Sequence, residues 1–167
     1  MLDWIAFASL CCAFIMLVAL SVIDLKTRLL PNEMVLGFAT LGFIFHLTTL
    51  ARFVSVEEIF LGGFIGFTTL FMIRAVANHI YKTDALGLGD IKLVGAAGLW
   101  LGPEAIMLAI SAGAMAGLIH GLFVALKIAK KSKKRPDFSY LQIPAGPGFA
   151  IGFILVGIYK FWGFNPL

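Results

Sequence analysis

Two aspartates interrupt stretches of the sequence that are otherwise apolar. Asp24 follows directly on an uncharged run, in Ser-Val-Ile-Asp24-Leu-Lys-Thr-Arg-Leu-Leu-Pro31-Asn32. Asp90 opens another apolar segment, in Asp84-Ala-Leu-Gly87-Leu-Gly89-Asp90-Ile-Lys92-Leu. An acid at a helix edge, taken alone, is a capping or snorkelling group that satisfies free amides and the positive dipole end. Two acids predicted at the ends of different helices on one side of a membrane can also face each other. Close carboxylates do not readily both ionise, so they share a proton. One then acts as general base on water, while its protonated partner polarises a peptide carbonyl. Gly87 and Gly89 leave the backbone beside Asp90 open to the close approach of an extended peptide. That is aspartic-peptidase chemistry. It calls for no metal and no cofactor.

The elements that must position these acids follow from composition. Of 167 residues, 60% are hydrophobic and 13% charged, against about 45–50% apolar and about 25% charged in a soluble domain. Such a chain is neither disordered, nor a disulfide scaffold, nor an ordinary water-soluble enzyme. An all-α polytopic membrane protein is expected, as one domain over residues 1–167 with the lipid bilayer around it. Uncharged runs cover Trp4–Ile23, Met34–Ala51, Ile59–Ile73 (continuing towards Tyr81), Leu93–Pro103, Ala105–Leu126 and Phe138–Tyr159. A full crossing needs about 20 apolar residues. The fourth run is short, and spans only if its polar start from Gly89 lies inside protein or at a wet cavity. About six transmembrane helices result. No basic segment precedes the first run and no cleavage site follows it, so it is expected to remain as a span and not a removed signal peptide.

Thirteen basic residues outnumber nine acidic ones. With the amino terminus outside and six spans, eleven of the basic residues fall on one side: Lys26, Arg28, Arg74, Lys82, Lys92, Lys127, Lys130, Lys131, Lys133, Lys134 and Arg135. Arg52 and Lys160 fall on the other. The positive-inside rule puts the connections at 24–33, 80–92 and 127–137 in the cytoplasm and both termini outside. The excess positive charge is thus a matter of topology, and no nucleic-acid partner is expected. The Lys127–Pro136 stretch reads as a solvated loop meeting anionic headgroups. Glycines recurring every four residues, as at Gly62/Gly66, Gly98/Gly102, Gly113/Gly117/Gly121 and Gly148/Gly152, are read as close helix contacts. Adjacent Cys11 and Cys12 are packing residues, and His46, His79 and His120 do not pair at ligand spacing.

Gly-Leu-Gly-Asp at 87–90, continuing Ile-Lys-Leu, resembles the GxGD motif of membrane aspartyl proteases, and most closely the bacterial type IV prepilin leader peptidases. Asp24 with the following Leu-Lys and Leu-Pro31-Asn32 is similar to their first aspartate motif, and Ile143-Pro144-Ala-Gly146-Pro147 to their late Pro-x-Gly-Pro segment. The resemblance runs from the first span to the last. It implies a fold of membrane helices in the bacterial inner membrane. It also implies cleavage of short basic leaders from prepilins or pilin-like precursors at the cytoplasmic face, with Asp24 and Asp90 catalytic. Asn32 and Lys92 match the motifs without a derivable role, and Asp84 is read as a loop residue. Larger relatives carry a cytoplasmic insertion with paired CxxC motifs and also N-methylate the new amino terminus. The short 24–33 segment has no cysteine, so the resemblance is to the peptidase-only form of tight-adherence (Flp-type) systems.

Two other classes compete. A proton or ion pathway predicts acids spread through the membrane depth and repeat symmetry between halves, whereas these acids gather at one side. A non-catalytic assembly factor of a pilus or secretion system would not need both acids.

Overall fold

A computed structural model describes residues 1–84, 86–132 and 144–164 of the chain, without the side chains of residues 131 and 132. These form five helices and, among the described residues, no strand: α1 Leu2–Thr27, α2 Asn32–Thr48, α3 Val56–Tyr81, α4 Leu88–Ser132 and α5 Gly146–Lys160. Three stretches, Leu2–Thr27, Val56–Tyr81 and Leu88–Lys130, are long and apolar enough to cross a membrane. Leu47, Phe64, Met72 and Phe123 stand exposed on the outside of the helices. Water would not tolerate so much apolar exterior, and lipid does.

Local chemistry sets the helix ends. Asp3 in the first turn of α1 and Lys26 in the last complement its dipole. The helix stops at Arg28, which turns left-handed (φ 55°) and donates its N–H to the Asp24 carbonyl. Pro31 then favours an extended Leu30 and precedes the first residue of α2. At the start of α3, Ser55 and Glu58 form a capping box: each backbone N–H donates to the other's side chain, at 2.9 and 3.3 Å. Lys82, again left-handed, closes α3.

α4 is continuous in sequence but reverses at Gly102, whose φ of 73° only glycine adopts without strain. The packing on α3 shows the reversal. A Cβ at Gly62 would meet Gly98 and Gly102, and one at Gly66 would meet Val94 and Ile106. The two arms, 88–101 and 103–132, therefore run antiparallel along α3. Counting the arms, six helical segments overlap the six apolar runs, although residues 49–51 of the second lie beyond α2, the fourth runs across Gly102 to Pro103, and residues 138–143 of the sixth lie outside the described residues. At 1.5 Å per residue the first arm is about 21 Å long, shorter than the ~30 Å hydrocarbon core.

The reversal has a cost that α2 offsets. Pro103 has no N–H, so the Leu99 carbonyl loses its helical donor. His46 is buried, and its Nε2 lies 3.1 Å from that carbonyl and 3.2 Å from the Trp100 carbonyl. Carbonyls only accept, so Nε2 carries the donating proton, while Nδ1 has no hydrogen-bond partner among the described residues. Trp100 reciprocates by donating its indole N–H to the Phe38 carbonyl at 2.9 Å, over a Gly42 whose Cβ would lie 2.8 Å from that nitrogen. Around this point Phe45, Phe53, Phe161 and Phe164 interlock, with ring centroids 4.8–6.0 Å apart. One end of the bundle is thereby locked. The starts of α2, α4 and α5 and the end of α1 meet at the other.

Candidate active site

That other end holds both aspartates. Asp24 sits in the last turn of α1 and is buried although acidic. A buried carboxylate needs donors, and one comes from far along the chain: the backbone N–H of Gly146, the first residue of α5, donates to Asp24 Oδ2 at 3.0 Å. Only glycine permits that approach, because a Cβ at 146 would stand 2.6 Å from the same oxygen. The positive end of α5 thus faces the carboxylate.

Asp90 lies in the first turn of α4, buried, with its carboxylate hydrogen-bonded to the backbone of Gly87. A Cβ at Gly87 would lie 2.9 Å from Asp90 Oδ2. The other oxygen, Oδ1, is buried and has no hydrogen-bond partner among the described residues. The two carboxyl groups are near enough for the charge of Asp24 to act on Asp90. With 5% and 8% of their surfaces exposed, both are buried.

The remaining motif residues divide. Gly89 packs beneath the α1–α2 connection, since its Cβ would lie 2.9 Å from Leu30 Cβ. This glycine makes room for the chain's own Leu30, where the sequence suggested room for substrate. Lys92 is exposed and Asp90 buried, because two residues are roughly 200° apart on a helix. Lys92 Nζ donates to Asn32 Oδ1 at 2.9 Å, joining α4 to α2 on the side away from the dyad. Asp84 is not at the site. Its carboxylate accepts from Arg74 at 2.7 Å and Asn78 at 3.1 Å, while Arg74 also donates to the Leu86 carbonyl at 2.9 Å. Arg74 so ties down the segment that leads into Gly87. Cys11 and Cys12 are free thiols within α1. Ile143 and the basic residues 133–135 lie outside the described residues. No three His, Cys, Asp or Glu side chains gather as a metal site would require, among the described residues.

Sequence reasoning passed over Gly146 as a member of the site. The signal was present in the Pro144-Ala-Gly146-Pro147 segment. A backbone donor reaching across 122 residues leaves no mark that residue types can reveal.

Helices that expose apolar surface, enclosing a buried pair of interacting aspartates at one end, define a membrane protein with the makings of an aspartyl-protease centre. The model of the type IV leader peptidase family matches residues 11–122, and the chain belongs to that family. It is 33% identical over 149 residues to the prepilin leader peptidase/N-methyltransferase of Pectobacterium carotovorum subsp. carotovorum, covering 89% of this chain and 50% of that protein. The namesake from Vibrio cholerae is 30% identical over 155 residues, 92% of this chain and 56% of that protein. The one from Neisseria gonorrhoeae is 33% identical over 114 residues, 68% and 38%. The chain spans about half the length, or less, of these curated relatives. No solved structure matches it.

Proposed function

We propose that the chain is a membrane aspartic endopeptidase that removes the short basic leader from prepilin or pilin-like precursors, with Asp24 and Asp90 as its catalytic pair. The observation that carries this reading is the buried pair itself. Two interacting carboxyl groups from different helices are held by backbone donors from Gly146 and Gly87, and Asp90 Oδ1 is left to meet a reactant. A buried polar atom without a partner is rare unless function employs it. The ionised carboxylate takes a proton from water, and the oxygen of that water attacks the scissile carbonyl carbon. The protonated carboxyl gives its proton to the carbonyl oxygen. Collapse of the tetrahedral intermediate breaks the C–N bond: the amine leaves with the proton the base had taken, and a hydroxyl of the intermediate returns its proton to the other carboxylate, restoring the starting pair.

The proposal includes the topology: six crossings in the bacterial inner membrane, with α4 contributing two, both termini outside, and the dyad end facing the cytoplasm. The basic residues Lys26, Arg28, Lys82 and Lys92 lie at that end and support this orientation. Methyl transfer is not part of the proposal, because the α1–α2 connection is a four-residue turn, 28–31, without cysteine. The test is processing of candidate precursors by membranes carrying the intact protein, Asp24→Asn or Asp90→Asn. Cleavage by the intact protein and by neither variant is the expected result.

A further inference from the structure

Lys92 and Asn32 play no part in the dyad, yet they close one end of a distinct feature. α2 and α3 are consecutive but splay apart. Their rings meet at Phe43 and Phe60, with centroids 5.9 Å apart, and from there a furrow of about 520 Å³ opens towards Lys92 and Asn32. α4 forms its floor through positions 92, 95, 96 and 99, and α2 forms one wall through 32, 35, 36 and 39. Both sets follow the i, i+3, i+4, i+7 spacing of a single helix face. Gly63 and Phe67 of α3 line the other side.

We propose that this furrow is the berth for the apolar helix of the precursor, lying along α4 with an acidic side chain of its first turn on Lys92. The proposal rests on the peptidase reading above and names the surface by which substrate is held. Two observations carry it, beside a floor in which Gly95 makes room for Phe67 of α3, since a Cβ at 95 would lie 3.2 Å from Phe67 Cβ. Among the described residues Lys92 is the one charged side chain lining the furrow, and its ammonium donates there to Asn32 alone, leaving two of three protons. Its free donors suit a carboxylate, and an acid in a helix's first turn also complements the dipole there. Finally, the charged end of the furrow is level with the dyad: Lys92 is two residues, about 3 Å of helix rise, from Asp90. The helix between them is about 10 Å across. Roughly three or four extended residues, at about 3.3 Å each, carry the chain from the furrow over the first turn of α4 to Asp90. The scissile bond is therefore placed that far before the first helical residue of the substrate.

Photocrosslinking in whole membranes tests this. Benzoylphenylalanine replaces Phe67, which lines the furrow, or Phe64, one turn earlier and facing outward, in protein carrying Asp90→Asn so that precursor is bound and not cut. Precursor crosslinked from position 67 at least about tenfold more than from position 64 is the expected result. Equal crosslinking from both positions, or adducts only with lipid or a second copy of the chain, overturns the furrow. A parallel reading comes from Lys92→Gln, which should raise KM about tenfold with kcat kept, a factor worth ~1.4 kcal/mol, and Lys92→Arg should restore it. Crosslinking without cleavage by the unsubstituted protein would leave the berth standing and remove the peptidase reading. Cleavage without crosslinking would do the reverse, and neither would remove both.

Discussion

Asp24 and Asp90 are held differently, and the difference makes a sharp test of what each support does. Asn at either position keeps size and hydrogen bonding but cannot share the proton. Asp24→Asn and Asp90→Asn should each lower precursor cleavage by about 10²–10⁴-fold or more, the usual worth of a general acid or base, with the protein still inserted and folded. Gly146→Ala is the finer probe. The added methyl would lie 2.6 Å from Asp24 Oδ2, so the carboxylate must shift by several tenths of an ångström. Displacements of about 1 Å cost up to about 10²-fold in rate. kcat should fall tenfold or more while KM and the melting temperature in detergent hold. A variant that cleaves at the normal rate would show that the α5 amide does not position Asp24. Asp84→Asn keeps an oxygen for Arg74 and Asn78 and should retain most activity. The aspartates were legible in the sequence because charge is rare in apolar surroundings. Gly146 was not, because its contribution is an N–H that every residue but proline carries.

At the scale of elements, glycines decide how closely segments approach, and their positions separate chemistry from packing. Gly89 lies under Leu30, in the turn that joins Asp24 to α2. Gly89→Val would push that turn outward and restrict the backbone beside Asp90. Cleavage should be lost as severely as with an acid substitution. Gly66 lies well inside the bundle, and its Cβ would stand 2.8 Å from the Val94 carbonyl. Gly66→Val should weaken α3–α4 packing, by the ~1–3 kcal/mol typical of overpacking, and act on activity only through stability. Precursor processing and thermal unfolding in detergent, measured for both variants, separate the two. Normal processing by Gly89→Val would end the view that Gly89 shapes the site. His46→Ala removes the donor to a carbonyl orphaned by Pro103 and should cost about 1–3 kcal/mol. The apolar runs made the helices legible and Pro103 marked a break. Six alternating spans already called for the chain to turn back after that break; how it turns was not legible, since the reversal depends on the left-handed Gly102 and on the partners that His46 and Trp100 find in α2 and α4.

Across the whole molecule, apolar packing and polar chemistry occupy opposite ends. The aromatic cluster around Phe45 locks the end where α2 joins α3 and α4 reverses. The other end keeps its buried acids beneath a short turn and a helix start. Such a division suits an enzyme whose substrate is itself a membrane helix, because the helical part stays in lipid while only the leader must unwind. The proposed peptidase reading demands one orientation, with the dyad end facing the compartment in which the leader resides. Lys82, left-handed at the end of α3, and Arg52, in the turn between α2 and α3, are both exposed and lie at opposite ends of α3. With Cys11 and Cys12 replaced, a cysteine at Lys82 should react with an impermeant thiol reagent only from the cytoplasmic side. A cysteine at Arg52 should react only from outside. Labelling of both positions from one side would mean that α3 does not cross the bilayer. Labelling in the reverse sense would put Asp24 and Asp90 on the outer face, away from any leader that remains in the cytoplasm.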